Sequence, residues 1–256
     1  MPVAFFGHGN PINAITDNAY ARGWRAMANT MPTPRAILMI SAHWYLPGTR
    51  VTAHAHPPTI HDFGGFPAEL YETQYPAPGS PELARVVADA LAPLDVTLDA
   101  QRGLDHGAWA VLTHAYADAS IPVVQLSIDE TQPPRFHFEC GQRLRPFRHM
   151  GVLIAGSGNL VHNLPLYAWG AHAQEPYDWA LRFERLVRDL LVAREFDPLV
   201  DYEALGGDAL LSVPTPEHYL PLLYVLGASD EDDLPTFPVA GIEGGSISML
   251  SALFTS

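Results

Sequence analysis

The chain has 256 residues, of which 48% are hydrophobic and 16% charged, a composition typical of a globular protein with a well-buried core. Its 28 acidic and 14 basic residues give a formal net charge of −14, and all 14 basic residues are arginine. Without lysine the chain cannot carry the Schiff-base lysine of pyridoxal phosphate enzymes or the P-loop lysine of nucleotide-binding proteins, and the acidic balance argues against a nucleic-acid partner.

The cysteine content and the hydrophobic pattern exclude further classes of protein. Cys140 is the only cysteine, which excludes an internal disulfide and a thiolate metal cluster. No stretch reaches the ~18 consecutive apolar residues of a membrane helix, and the first residues, MPVAFFGH, lack the basic segment of a secretory signal. We therefore expect a cytoplasmic enzyme that does not bind a membrane.

Short apolar runs alternate with amphipathic stretches along the chain. The pattern predicts strands at residues 3–7, 36–41, 50–55, 96–98, 122–127, 151–155 and 246–254. It predicts helices at residues 18–30, 81–91, 109–117, 136–147, 177–194 and 216–226, and a solvated loop at 229–235. Alternation of this kind predicts an α/β fold: residues 1–256 form a single domain, with a central largely parallel or mixed sheet and helices on both faces.

Three histidines follow predicted strands. His8 comes after the first strand, His43 after the second, and His162 after the GSGN segment that ends the strand at 151–155. Ligands of open α/β sheets bind beyond the carboxyl ends of the strands, so these imidazoles are expected to meet in one crevice. The structural alternative for each is a buried histidine bonded to backbone. Imidazole is the commonest metal ligand, and the repetition of the pattern favours a divalent metal.

A fourth histidine belongs to the TPEH segment. Thr215 is predicted as the N-cap of a helix and Pro216 as its first residue, which puts His218 in the first turn. The positive end of the helix dipole would keep that imidazole neutral, as a metal ligand must be. The alternative is a surface helix start with an incidental histidine.

The remaining histidines give weaker signals. His106, between Asp105 and Gly107 at a predicted helix start, is either an exposed residue or a substrate contact. A second group lies in the HAHPPTIH segment and favours a solvated edge over a metal site; it comprises His54, His56 and His61. A third group has no matching partner in the pattern; it comprises His114, His137, His149 and His172.

Several longer motifs resemble one family. GHGNPINAI, ILMISAHWYLPGTRVTA, IHDFGGFPAELYETQYPAPGSPELA, LDHGAWAVL, VLIAGSGNLVHNL and TPEHYLPLLYVLGA occur in this order. They resemble the class III extradiol ring-cleavage dioxygenases, in the branch similar to 4,5-DOPA extradiol dioxygenase. GGSISMLSALF extends the likeness almost to the end of the chain.

The resemblance implies a single α/β domain with one mononuclear non-haem metal. The family's ligand positions fall on His8, His43 and His218, and its acid/base histidine falls on His162, which is near enough to serve as a fourth ligand. His106 matches a histidine that contacts a substrate oxygen. The wider superfamily has a glutamate where this chain has His218, and its first motif begins Ser-His-Gly-Ser-Pro, whereas this chain has Gly7 and Asn10.

The resemblance predicts an extradiol dioxygenase that cleaves a catechol-type ring, such as a DOPA-like one, with O2. Fe(II) is the expected working metal, and zinc is plausible as the bound one because it binds more tightly. A small aromatic diol and O2 are thus the expected partners, and the ring is expected to be walled by aromatic side chains of the loops, namely Trp44, Tyr45, Phe63 and Phe66. Because an all-histidine ligand set also suits catalytic zinc, the alternatives are a zinc-dependent hydrolase or isomerase, or a closed non-catalytic metal site.

Overall fold

The computed structural model describes residues 1–170 and 175–256. Within these ranges the strands are Val3–Gly7 (β1), Ala36–Leu46 (β2), Thr49–Thr52 (β3), Val96–Asp99 (β4), Val123–Asp129 (β5), Val152–Gly158 (β6), Leu234–Val239 (β7), Ile242–Glu243 (β8), Ile247–Ser248 (β9) and Ser251–Thr255 (β10). The α-helices are Ala19–Asn29 (α1), Ala68–Glu72 (α2), Pro81–Ala90 (α3), His106–Ala115 (α4), Pro134–Leu144 (α5), Asp178–Ala193 (α6), Phe196–Val200 (α7), Gly207–Ser212 (α8) and Leu220–Ala228 (α9).

Eight strands form one mixed sheet in the order β4-β3-β5-β2-β6-β1-β10-β7. The four central strands, β5, β2, β6 and β1, are parallel, while β10 and β7 extend the sheet antiparallel beyond β1. The predicted single-domain α/β fold with a mixed sheet is therefore confirmed. Because the central strands run in one direction, their carboxyl ends meet at one edge of the sheet.

Helices cover both faces of this sheet, which explains why its central strands are apolar throughout. Val3 and Leu38 point into one core with side chains of α3, α5, α6 and α9. Their neighbours Ala4 and Ile37 point into a second core with side chains of α1 and α4. Successive residues of a strand face opposite sides, so a strand between two helical layers has no polar face.

Three predictions about the elements are wrong in detail. The strand predicted at 246–254 is two strands, β9 and β10, because β9 pairs with β8 rather than joining the large sheet. The predicted loop at 229–235 leads into β7, which contains Pro235 and Pro238. Proline removes a backbone hydrogen-bond donor, and β7 tolerates it because it is the last strand at this edge of the sheet, beside β10. The helix predicted from residue 216 begins at Leu220.

The described ranges contain no helix with both the length and the apolar character needed to cross a membrane.

Candidate metal centre

Three histidines from distant parts of the chain meet at the carboxyl edge of the parallel strands. His8 follows β1, and His218 lies in the turn before α9. His43 lies inside β2 rather than after it, within the irregular stretch between Ile40 and Tyr45 where the pairing with β5 shifts register. The Nε2 atoms of His8 and His43 are 3.2 Å apart, and one ring nitrogen of each of the three lies within 4.8 Å of the others. This spacing suits three nitrogens that each lie about 2.1 Å from one ion.

A serine of β6 determines the tautomer of His8. The Ser157 hydroxyl has one hydrogen, and it donates that hydrogen to the carbonyl oxygen of Gly107. The Ser157 Oγ also lies 3.0 Å from Nδ1 of His8, where it can act only as an acceptor. Nδ1 of His8 therefore carries the proton, and its Nε2 is left with a free lone pair facing His43.

The position of His218 differs from the sequence prediction. The α9 N-cap is Tyr219, not Thr215, and the Thr215 hydroxyl donates to the Glu217 carboxylate at 2.8 Å instead of capping the helix. His218 precedes the helix, and the Asn159 N–H donates to its carbonyl oxygen at 2.9 Å. A Cβ at Gly158 would collide with that oxygen, so glycine permits the close approach of β6 to this turn.

The three imidazoles are neutral. Burial lowers the pKa of His8 and His43 well below the usual value, and the neighbouring imidazoles lower it further. Burial also lowers the pKa of His218, although Glu217 opposes it. The direction agrees with the sequence prediction, but the cause is burial rather than the helix dipole. Because metal ligands must be deprotonated, the donor set fits a divalent metal.

His162 lies against the same cluster. Its ring stacks on His218 with centroids 3.5 Å apart and planes 9° from parallel. Its backbone N–H donates to the Ser212 carbonyl at 2.8 Å, so the main chain is held independently of the ring. Burial, and then the electrostatic influence of the His218 ring, lower the pKa of His162 to about 2.

His106 is buried, not exposed, and begins α4 after its N-cap Asp105. Its ring centroid lies 3.8 Å from that of His43. Asp62 spans the two rings: one carboxylate oxygen lies 3.0 Å from Nδ1 of His106 and accepts its backbone N–H, and the other lies 3.5 Å from Nδ1 of His43. Asp62 therefore fixes His106 beside the cluster.

The five histidines line one cavity of about 450 Å³. This volume suits a small aromatic ligand. Its other walls include apolar and aromatic side chains: Phe66, Leu164, Tyr167, Trp169 and Ile247. Of the aromatic residues expected at the ring, Phe66 lines the cavity, and Phe63 packs behind it with ring centroids 5.3 Å apart. Trp44 is instead buried with Arg102 over its ring.

The weaker histidine candidates lie elsewhere. Nε2 of His114 bonds the Asn13 carbonyl at 2.8 Å, and His137 is buried beside the Tyr224 hydroxyl at 3.0 Å. His56 and His149 are exposed. His172 lies outside the described residues.

Sequence reasoning missed the polar side chains that hold the histidines, namely Ser157, Asp62 and Glu217. The chain carries a faint signal for two of them, since Asp62 stands in the HDFGGFP motif and Glu217 directly precedes His218. Ser157 stands among glycines in the GSGN segment, where nothing in the sequence indicates a role for its hydroxyl.

Comparison with known proteins gives matches over nearly the whole chain. The family model of the catalytic LigB subunit of aromatic ring-opening dioxygenase matches residues 11–248. The chain is 52% identical over 255 residues to a protein of Escherichia coli K12 named 4,5-DOPA dioxygenase extradiol, a match that covers 98% of this chain and 93% of that protein. A protein of the same name from Beta vulgaris is 38% identical over 259 residues, or 98% of this chain and 96% of that protein.

The crystal structure of an uncharacterized protein from Escherichia coli K12 has the same fold, with a TM-score of 0.87 at 47% identity over 100% of both chains. The family model spans most of the chain, and the relatives cover nearly all of it. The chain therefore belongs to the LigB family of class III extradiol dioxygenases, oxidoreductases that open aromatic rings at a single metal.

Proposed function

We propose that His8, His43 and His218 hold the single metal of this dioxygenase, within one catalytic domain that spans residues 1–256. The observation that carries the proposal is the meeting of their three ring nitrogens within 4.8 Å of one another, at a cavity large enough for a catechol. Each imidazole has its Nδ1 near an oxygen atom, of Ser157, Asp62 or Glu217, which leaves Nε2 to bind the ion.

Fe(II) is the metal we propose for the reaction. When bound, it supplies the redox chemistry that activates O2, which zinc cannot supply because zinc has no redox chemistry. Zinc binds nitrogen sites more tightly than Fe(II), so purified protein is expected to contain zinc unless iron is supplied.

His162 is the proposed acid/base. It is neutral in the site, which is the form that a base must have before it takes the proton of a catechol hydroxyl. A catecholate beside the ring adds negative charge, which raises the pKa of His162 and allows it to keep the proton and return it later. Before substrate binds, the same ring lies near enough to His218 to serve as a fourth ligand.

His106 is the proposed contact for a substrate oxygen. Its Nδ1 lies against Asp62, so Nε2 is the nitrogen available to the substrate. Phe66 and the rim residues Tyr167 and Trp169 would enclose the ring and exclude water.

The substrate class we propose is a DOPA-like catechol, supported by the names of the Escherichia coli and Beta vulgaris relatives. The family assignment removes the support for the zinc-dependent hydrolase or isomerase and for the closed, non-catalytic site. The cytoplasmic location stays a prediction.

Anaerobic loading with Fe(II), followed by a panel of catechols, tests the proposal. We expect O2 uptake and a visible absorption band of the semialdehyde product or its cyclised form with DOPA. The zinc-loaded protein is the matched control and should be inactive. Iron-loaded protein that consumes no O2 with any catechol, while zinc-loaded protein hydrolyses esters or amides, would reverse the assignment.

A further inference from the structure

The charge of the proposed metal site poses a question. An imidazole that binds a metal through one ring nitrogen is neutral, so His8, His43 and His218 as ligands would bring no charge to offset that of a divalent ion. Non-haem iron oxygenases commonly use two histidines and one carboxylate, and that carboxylate supplies one negative charge. Here the carboxylate nearest in sequence is Glu217, one residue before a ligand position.

Glu217 points toward the site rather than into solvent. Its side chain is 21% exposed and lines the same cavity as the histidines. One carboxylate oxygen, Oε1, lies 3.1 Å from Nδ1 of His218 and also accepts the hydroxyl hydrogen of Thr215 at 2.8 Å. A carboxylate can only accept, so Nδ1 of His218 carries the proton and Nε2 keeps its lone pair.

The carboxylate is ionised at neutral pH. An ordinary glutamate has a pKa near ~4.3, and the two contacts of Oε1, at 3.1 Å to Nδ1 of His218 and 2.8 Å to the Thr215 hydroxyl, are with hydrogen donors that favour the ionised form. Glu217 therefore brings a full negative charge to the far side of one ligand ring.

We propose that Glu217 is a positioning residue of the metal centre, which orients His218 and supplies through that ring the negative charge that the three imidazoles lack. The inference rests on the proposed function, because it requires His218 to be a ligand. Carboxylates bonded to the outer nitrogen of a ligating histidine raise its basicity, and their loss typically lowers metal affinity about 10–100-fold.

The other two ligands show why Glu217 is assigned this role. His8 is held by the neutral hydroxyl of Ser157. Asp62 is charged, but its closer contact is with His106, and its oxygen lies 3.5 Å from Nδ1 of His43. Glu217 thus has the closest carboxylate contact to a proposed ligand ring.

One competing arrangement has Glu217 bind the ion itself. A ring nitrogen of His162, a carboxylate oxygen of Glu217 and a ring nitrogen of His218 also lie within 4.8 Å of one another. The two arrangements differ in coordination number when Glu217 is replaced, and this difference is visible in the absorption spectrum of bound Co²⁺.

Metal binding by Glu217→Gln is the test. Glutamine keeps an oxygen that accepts the Nδ1 hydrogen but removes the charge. The metal-free protein is titrated with Co²⁺ against a chelator, and the reduction potential of the iron-loaded protein is measured in parallel. Glu217→Asp keeps the charge on a shorter side chain, and Glu231→Gln removes an equal charge from an exposed position that does not line the cavity.

We expect Glu217→Gln to bind Co²⁺ about 10–100-fold more weakly with an unchanged Co²⁺ band intensity, and to have a more positive iron potential. Glu217→Asp should recover part of the affinity, and Glu231→Gln should match the parent protein. The asymmetry between Gln and Asp distinguishes a charge effect from a loss of local structure.

His8→Ala separates the failure of this inference from failure of the proposed function. If His8→Ala loses Co²⁺ while Glu217→Gln binds as the parent does, the role of Glu217 is wrong and the ligand set stands. If His8→Ala binds Co²⁺ normally, the ligand set itself is wrong, and the inference falls with it. A changed Co²⁺ band intensity in Glu217→Gln would make Glu217 a ligand and overturn the positioning role.

Discussion

Acidification should destabilise the metal-free protein through its buried histidines. Burial first, and then the electrostatic influence of the His218 ring, lower the pKa of His162 to about 2, whereas the unfolded chain has the ordinary histidine pKa near ~6.5. Below pH ~6.5 the unfolded state binds more protons at this residue than the folded state does. The contribution of the neutral imidazole to the free energy of unfolding is therefore fully present above pH ~6.5 and is lost as the pH falls. Between pH 6.5 and pH 5, one histidine of this kind lowers the free energy of unfolding by about 2 kcal/mol.

The assay is urea unfolding of chelator-treated protein at pH 7, 6 and 5, with the variant His162→Leu beside the parent. Removing one such group should reduce the pH slope of stability by about 1.4 kcal/mol per pH unit below pH ~6. The buried carboxyls of Asp105 and Glu184 have a raised pKa, so acidification stabilises the folded state through them. Both residues are present in the parent and in His162→Leu, so their effect cancels in the difference between the two slopes. His149→Leu, at an exposed position, is the control and should keep the parent slope. Equal slopes for the parent and His162→Leu would refute the assignment of a neutral, buried imidazole.

Three further predictions concern the site. His162→Ala should keep its metal, because the His162 main chain is held by Ser212, yet its turnover should fall about 10²–10⁴-fold. Metal content and O2 uptake check this, and normal turnover would show that His162 is not the acid/base. Asp62→Asn should lower activity by roughly 10-fold by releasing His106, as steady-state kinetics will measure; unchanged kinetics would show that Asp62 does not position that ring. Gly107→Ala would force a Cβ against the Ser41 hydroxyl, and overpacking of this kind should cost about 1–3 kcal/mol in urea unfolding, whereas an unchanged midpoint would contradict the close packing.

The parallel core of the fold was predictable from sequence because its strands are continuous apolar runs. Val3–Gly7 was predicted to the residue, and β5 and β6 to within about three positions at each end. β2 continues to Leu46, past its predicted end at residue 41, so His43 lies inside the strand. The same runs predict where the chain leaves the sheet, which is why His8, His43 and His162 could be expected at one edge. The local pattern is sufficient for this prediction, because parallel strands all end at the same edge of the sheet.

The edges of the sheet were less predictable. β7 alternates between exposed and half-buried residues and contains two prolines, a pattern that favours a loop unless its position at the edge is known. The split between β9 and β10 depends on the pairing of β8 with β9, which is a tertiary contact.

The environment of the histidines could not be predicted. The tautomer of His8 depends on Ser157, which is 149 residues away in sequence and is itself bonded to Gly107. The neutral state of His218 follows from burial of its side chain, not from the helix dipole that the TPEH segment suggested. Residue type and spacing can identify candidate ligands. The hydrogen bonds that fix the tautomer and orientation of these imidazoles form only when the chain folds.

An anomalous difference map, collected at the iron edge from crystals loaded anaerobically with Fe(II), tests the ligand assignment most directly. The account predicts one strong peak, about 2.0–2.2 Å from a ring nitrogen of each of His8, His43 and His218. A peak bound elsewhere, or three ring nitrogens with no iron between them, would contradict it.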